Sequence, residues 1–98
     1  MYRHGDLLVA AVAEIPAGAR RLSHLTLAEG EMTGHSHRIA EANQATLYSH
    51  ENQLYLEVSQ ARATLVHQEH GPIVLPAGTY RVWKQREYFP REIRVVRD

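Results

Sequence analysis

The sequence predicts an all-β domain, a small antiparallel β-barrel or sandwich of about eight or nine short strands. Three observations predict it. Turn signals recur at short, even spacing: Gly5-Asp6, Pro16-Ala17-Gly18, Glu29-Gly30, Gly34, Glu51-Asn52, Gly71-Pro72, Pro76-Ala77-Gly78 and Pro90. The runs between them are rich in Val, Leu, Thr and Tyr, the residues that fit a pleated surface. No stretch sustains a helical period.

The strands are placed as follows. A first covers 7–13 and a second 22–28, the latter with Leu25 and Leu27 on one face and His24 and Thr26 on the other. A third covers 33–39. Residues 39–49 leave two options open: Ala40, Glu41, Ala42, Gln44 and Ala45 are good helix formers and allow one helical turn, while Thr46-Leu47-Tyr48 prefers a strand. Leu54, Leu56 and Val58 alternate with polar neighbours and face inward over 54–58. Short strands follow at 63–67 and 73–75. The longest, at 79–87, sets Tyr80, Val82 and Lys84 against Arg81, Trp83 and Gln85, and a last strand at 93–96 pairs with an edge. The Pro-Ala-Gly sequences at 16–18 and 76–78 both read as turns that lead into a strand.

Ninety-eight residues make one domain, 1–98. A chain of this size buries only about 60–65% of its unfolded surface, so homo-oligomerisation is a natural way to bury more. Eleven basic and eleven acidic side chains cancel, which argues against strong capture of nucleic acid or an anionic membrane. The charge is uneven: from Arg81 to Asp98 six basic side chains face three acidic ones, and the rest of the chain carries five against eight. Attraction between strands or subunits is the plain reading. The apolar run at 7–13 is too short to span a bilayer, and Glu14-Ile15-Pro16 directly after it offers no signal-peptide cleavage pattern. The expected location is the cytoplasm.

There is no cysteine, so disulfides and thiolate metal sites are excluded. There are seven histidines and no tag-like run. His35 and His37, two apart, lie on one face of a strand and hold two imidazoles at a fixed separation. Neutral imidazole ligates Zn, Fe, Mn and Ni. A third ligand must come from elsewhere: His67 and His70, three apart, would face opposite ways on a straight strand, so one of the two is expected at the site. Glu41 and Glu69 are the candidate oxygen ligands. Three protein ligands with one open position is the arrangement of a catalytic metal. His4, His24 and His50 read as surface or hydrogen-bonding residues.

His35-x-His37-x-x-x-Glu41 resembles the first motif of the cupins, and Gly71-Pro72-Ile73-Val74-Leu75-Pro76-Ala77-Gly78-Thr79-Tyr80-Arg81 resembles the second. The resemblance spans about Gly30 to Gln85. It implies a cupin-like jelly roll with a divalent metal held inside by His35, His37 and Glu41. The second motif departs from the family: Arg81 stands where its last histidine would be, so under this resemblance that ligand is either missing or replaced by His67 or His70. The same resemblance allows enzymes and non-enzymatic binders alike. Gly34-His35-Ser36-His37-Arg38, His67-x-x-His70 and Gln85-Arg86-Glu87-Tyr88 also resemble short bacterial proteins of unassigned activity.

Arg81, Trp83, Gln85 and Glu87 share a face if their strand is regular. Arg81 can clamp an anionic small molecule through paired N–H donors, with Trp83 and Gln85 beside it, and Arg and Trp are also common at interface centres. Three functions follow, in order. The first is a cupin-like protein that binds a divalent metal through its histidine cluster and acts on or senses a small anion. The second is a non-catalytic homo-oligomeric assembly protein. The third is a single-stranded nucleic-acid binder, with aromatic residues among basic ones near the C-terminus as stacking platforms.

Overall fold

A computed structural model describes residues 1–29 and 35–85. Those residues form eight strands: β1 (Tyr2–His4), β2 (Leu7–Ala11), β3 (Arg20–Arg21), β4 (Thr26–Glu29), β5 (Ser36–Ile39), β6 (Ala45–His50), β7 (Gln53–Val66) and β8 (Ile73–Lys84). All pairings are antiparallel. The all-β expectation holds. The ambiguous 39–49 stretch resolves as the end of β5, a turn and β6. The predicted strand at 93–96, residues 33–34 of the third strand and residues 86–87 of the longest lie outside the described residues.

The spine is the β7–β8 hairpin. Each of its strands joins two segments that the sequence reading kept apart. Ser59-Gln60-Ala61-Arg62 breaks the alternation of β7, and the register against β8 shifts between Val58 and Arg62. Pro76-Ala77-Gly78, expected as a turn, instead runs through β8: Pro76 pairs with Arg62, and Gly78 (φ 152°) with Val58. Proline and glycine are tolerated in a strand where the ladder is irregular. Pro16-Ala17-Gly18, with no long partner strand, does form the predicted turn. There the Ala19 N–H donates to the Pro16 carbonyl (3.1 Å) and Gly18 takes φ 89°.

The register shift also divides the neighbours of β7. Its first half pairs with β6, which carries β3; its second half pairs with β5, which carries β4. On the other side β8 pairs with β2, and β2 with β1. The sheet does not close on itself among the described residues, since β1, β3 and β4 each have a single paired neighbour. An open, strongly curled sheet therefore stands where a closed barrel was one expectation. In a flat sheet β1 and β5 would lie four strand spacings apart, about 19 Å. Yet His4 on β1 hydrogen-bonds His37 on β5, Nδ1 to Nδ1, at 2.9 Å. Only tight curling brings those strands together.

The concave side holds one apolar core. Leu7, Val9, Leu47, Leu56, Leu65 and Leu75 are at most 1% exposed, and Val58, Tyr80 and Val82 join them. The inward placing of Leu56 and Val58 is as the alternation predicts, with Leu54 packed at the margin. The Tyr80 hydroxyl, carried into this core, donates to the Pro76 carbonyl at 2.6 Å. Two tight hairpins set the ends. Glu51 and Asn52 both take positive φ between β6 and β7, as a two-residue I′ turn requires. Gly5 (φ 67°) takes the first central position between β1 and β2, the place glycine fills in a II′ turn. Among the described residues no helix is long and apolar enough to cross a membrane.

Candidate functional site

Three separate segments bring histidines to one end of the curled sheet. β1 supplies His4. The start of β5 supplies His35 and His37. The loop between β7 and β8 supplies His67 and His70. Their rings pack on one another, with centroids 4.4 Å apart for His37–His67, 4.6 Å for His67–His70, 4.9 Å for His4–His37, 5.5 Å for His35–His67 and 5.6 Å for His4–His70. The four histidines expected at the site are thus brought together. Both His67 and His70 reach it, against the expectation of one. β7 ends at Val66, so strand alternation no longer governs the residues after it.

The pocket around them, about 310 Å³, is lined by Gly5, Asp6, Glu29, His35, His37, His67, Glu69, His70 and Lys84. Three acidic residues and one lysine line it, a balance that favours a cation. Glu69, a predicted oxygen candidate, is present, with Oε2 3.4 Å from His35 Nδ1. Asp6 is a carboxylate the sequence reading passed over, its Oδ1 3.6 Å from His37 Nε2. Lys84 Nζ donates to the Glu29 carbonyl at 3.0 Å and joins β8 to β4 at the rim.

His4 is the histidine missed. Read as a surface residue, it is 3% exposed. Its Nε2 donates to the Gly71 carbonyl at 2.8 Å, and its Nδ1 meets His37. The signal in the sequence was the spacing His4-Gly5-Asp6: a glycine turn that brings a histidine and an aspartate back to one end of a hairpin. Gly5 also leaves room for His70. A Cβ there would stand 2.6 Å from His70 Nε2. Gly5→Ala should therefore lose about 1–2 kcal/mol through the left-handed backbone and push the His70 ring out of the cluster. Chemical denaturation and the histidine ring NMR signals check the two effects separately.

Other predicted site residues lie elsewhere. Glu41 does not line the pocket. Its carboxylate accepts from the Thr64 backbone N–H (2.8 Å) and hydroxyl (2.7 Å), and these bonds hold its carboxyl below the usual range. It ties the end of β5 to β7, with each oxygen accepting one hydrogen bond from Thr64. Arg81 and Trp83 alternate with the buried Tyr80 and Val82, so they leave β8 on the face away from the core. The Arg81 guanidinium lies 4.9 Å from the centre of the Trp83 ring. Both line a second cleft of about 450 Å³, which shares only Lys84 with the histidine pocket. Gln85 accepts from the Arg3 guanidinium and its backbone N–H donates to the Asp6 carbonyl. It braces the β1–β2 turn, while Glu87 lies outside the described residues.

Burial sets the electrostatics. His37, 5% exposed, is pushed down to about 4 by burial and then by His67 and His4, with Asp6 opposing. Burial also lowers His4 and His67. At neutral pH these rings are uncharged and keep lone pairs. Folding that lowers a histidine pKa leaves fewer protons on the native state than on the unfolded one. Stability is then full above the unfolded value of 6.5 and falls as pH drops from 6.5 toward 4. For His37 the loss is at most roughly 3 kcal/mol at about 1.4 kcal/mol per pH unit, and less because the pocket mouth admits screening water. Melting curves in chelator from pH 8 to 4.5 should show it. Among the described residues no group of three or more His, Asp or Glu side chains is placed so that it could hold a metal ion.

No curated protein and no solved structure matches the chain. A family model does match, over residues 3–85: a domain of unknown function, DUF8820. The family match is to this domain and not to a cupin. The matched span takes in all five clustered histidines and the full β7–β8 hairpin. The chain belongs to this family, the domain of unknown function DUF8820.

Proposed function

We propose that this domain binds a divalent transition metal through its histidine cluster. The observation that carries the reading is the packing of five imidazoles from three segments, four of them lining a pocket that Asp6, Glu29 and Glu69 also line. His37 and His4 are buried and held uncharged by that burial, and a bound cation gives the lone pairs that converge on the pocket a common partner. The donors are nitrogen and oxygen alone, which suits Zn, Fe, Mn or Ni. His37 is the fixed ligand. His35, His67 and His70, nearer the surface, complete the shell by side-chain rotation.

The cupin-like reading is compatible with this in part: a curled antiparallel sheet carries His37 on β5 with His35 just before it, and His67 and His70 would stand in for the last histidine of the cupins. Glu41 has no part in it. Arg81 is turned to the other cleft, so a small anion that reaches the metal would meet Lys84 first.

Binding to the native state alone stabilises it by about 2.7 kcal/mol when free metal is a hundred times the dissociation constant. For a domain of this size that raises the melting temperature by roughly 10–20 °C. Thermal melts of chelator-stripped protein with Zn²⁺, Mn²⁺, Ni²⁺ or Fe²⁺ test this. No rise with any of the four metals would sink the reading.

A further inference from the structure

We propose that Asp6 is a ligand to the metal and that His4 is a positioning residue, which fixes His37 in the tautomer whose Nε2 lone pair faces Asp6. The inference rests on the metal-binding reading and deepens it. It follows from proton bookkeeping along one chain of contacts. The Gly71 carbonyl can only accept, so His4 Nε2, 2.8 Å away, carries a proton. A neutral His4 then has a bare Nδ1. His37 Nδ1 lies 2.9 Å from it and must donate, so it carries the His37 proton. His37 Nε2 is left as a lone pair.

That lone pair stands 3.6 Å from Asp6 Oδ1, beside a carboxylate that has nothing to donate. Two acceptors face each other across a gap too long for a hydrogen bond, on the side that opens to the pocket. The reverse arrangement, His37 donating from Nε2 to Asp6, needs His4 or His37 to carry both protons and a charge while 3% or 5% exposed. Burying a charged ring so deeply is costly. A cation between His37 Nε2 and Asp6 satisfies both atoms at once. Histidine ligands are commonly oriented through their other ring nitrogen, by a carboxylate or carbonyl. Here the orienting group is a second histidine, itself anchored to Gly71 in the loop that carries His67 and His70.

Two measurements on the full chain test this. Long-range ¹H–¹⁵N NMR of chelator-stripped protein at pH 7.5 reads each tautomer without any metal. His4 is expected as Nε2–H and His37 as Nδ1–H, and His37 found as Nε2–H would overturn the positioning role. In His4→Ala the His37 tautomer should move toward Nε2–H. Titration with Zn²⁺ alone tests the ligand role: Asp6→Asn should weaken binding by roughly 10–100-fold with the His37 tautomer unchanged. Since Asp6 sits in an exposed turn, that variant keeps the test open if His4→Ala does not fold. Tight Zn²⁺ binding by the native chain with unaltered affinity in Asp6→Asn would defeat the ligand role and leave the metal-binding reading standing. No Zn²⁺ binding by the native chain would defeat both.

Discussion

Replacing His37 with alanine is expected to abolish the metal-dependent rise in melting temperature and to lower stability even without metal. The first effect follows because His37 touches His4, His67 and His70 and holds the only imidazole of the cluster carried inside a central strand. The second is local. His4 Nδ1 loses its donor, and a buried acceptor left without a partner costs about 1–3 kcal/mol. A third signature separates this from simple damage. Because His37 is the most strongly lowered titrating group, its removal should flatten the loss of stability between pH 6.5 and 4. His24→Ala, at an exposed histidine whose Nδ1 accepts from the Thr26 N–H, should leave the metal response intact. Thermal melts with and without metal, across pH, read all of these.

The largest loss of stability is expected from Leu56→Ala. Leu56 is 0% exposed and lies on β7 between Leu47 of β6 and Tyr80 of β8. It packs where the first half of the spine meets both neighbours, so the cavity cannot collapse by moving one strand. Leucine-to-alanine changes in such places cost about 2–5 kcal/mol. A domain of this size has only about 5–15 kcal/mol to lose, and its melting temperature should fall by roughly 10–30 °C. Val74→Ala, at a 52% exposed position of β8, should change stability by no more than about 0.5 kcal/mol. Urea denaturation of the two variants side by side checks the contrast.

What the sequence made legible was local. The alternation of Leu54, Leu56 and Val58 named the inner face of β7, and Glu51-Asn52 marked its hairpin. HxH spacing placed His35 and His37 toward one site, and both line the same pocket although β5 begins only at Ser36. What stayed hidden depended on pairing between distant segments. Pro76-Ala77-Gly78 has the composition of a turn, and only β7 alongside holds it extended. Glu41 has the right offset for a cupin ligand, but Thr64, brought alongside by the β5–β7 pairing, takes both its oxygens. His4 and Asp6 stand 31 and 29 residues before His35, the nearest of the other clustered histidines in sequence, and join the site only because the sheet curls. Arg81 leaves β8 on the face opposite Val82, as the alternation of that strand set out, and lines the cleft away from the histidines, which only the pairing of β8 with its neighbours decides.

The central claim is that the clustered imidazoles hold a metal ion. Elemental analysis of the untagged protein, loaded with each of Zn²⁺, Mn²⁺, Ni²⁺ and Fe²⁺ and then desalted, tests it most directly. About one divalent ion should remain per chain with at least one of these metals, and the His37→Ala protein should retain none. A native chain that keeps no divalent ion above the level of its buffer with any of the four would contradict it.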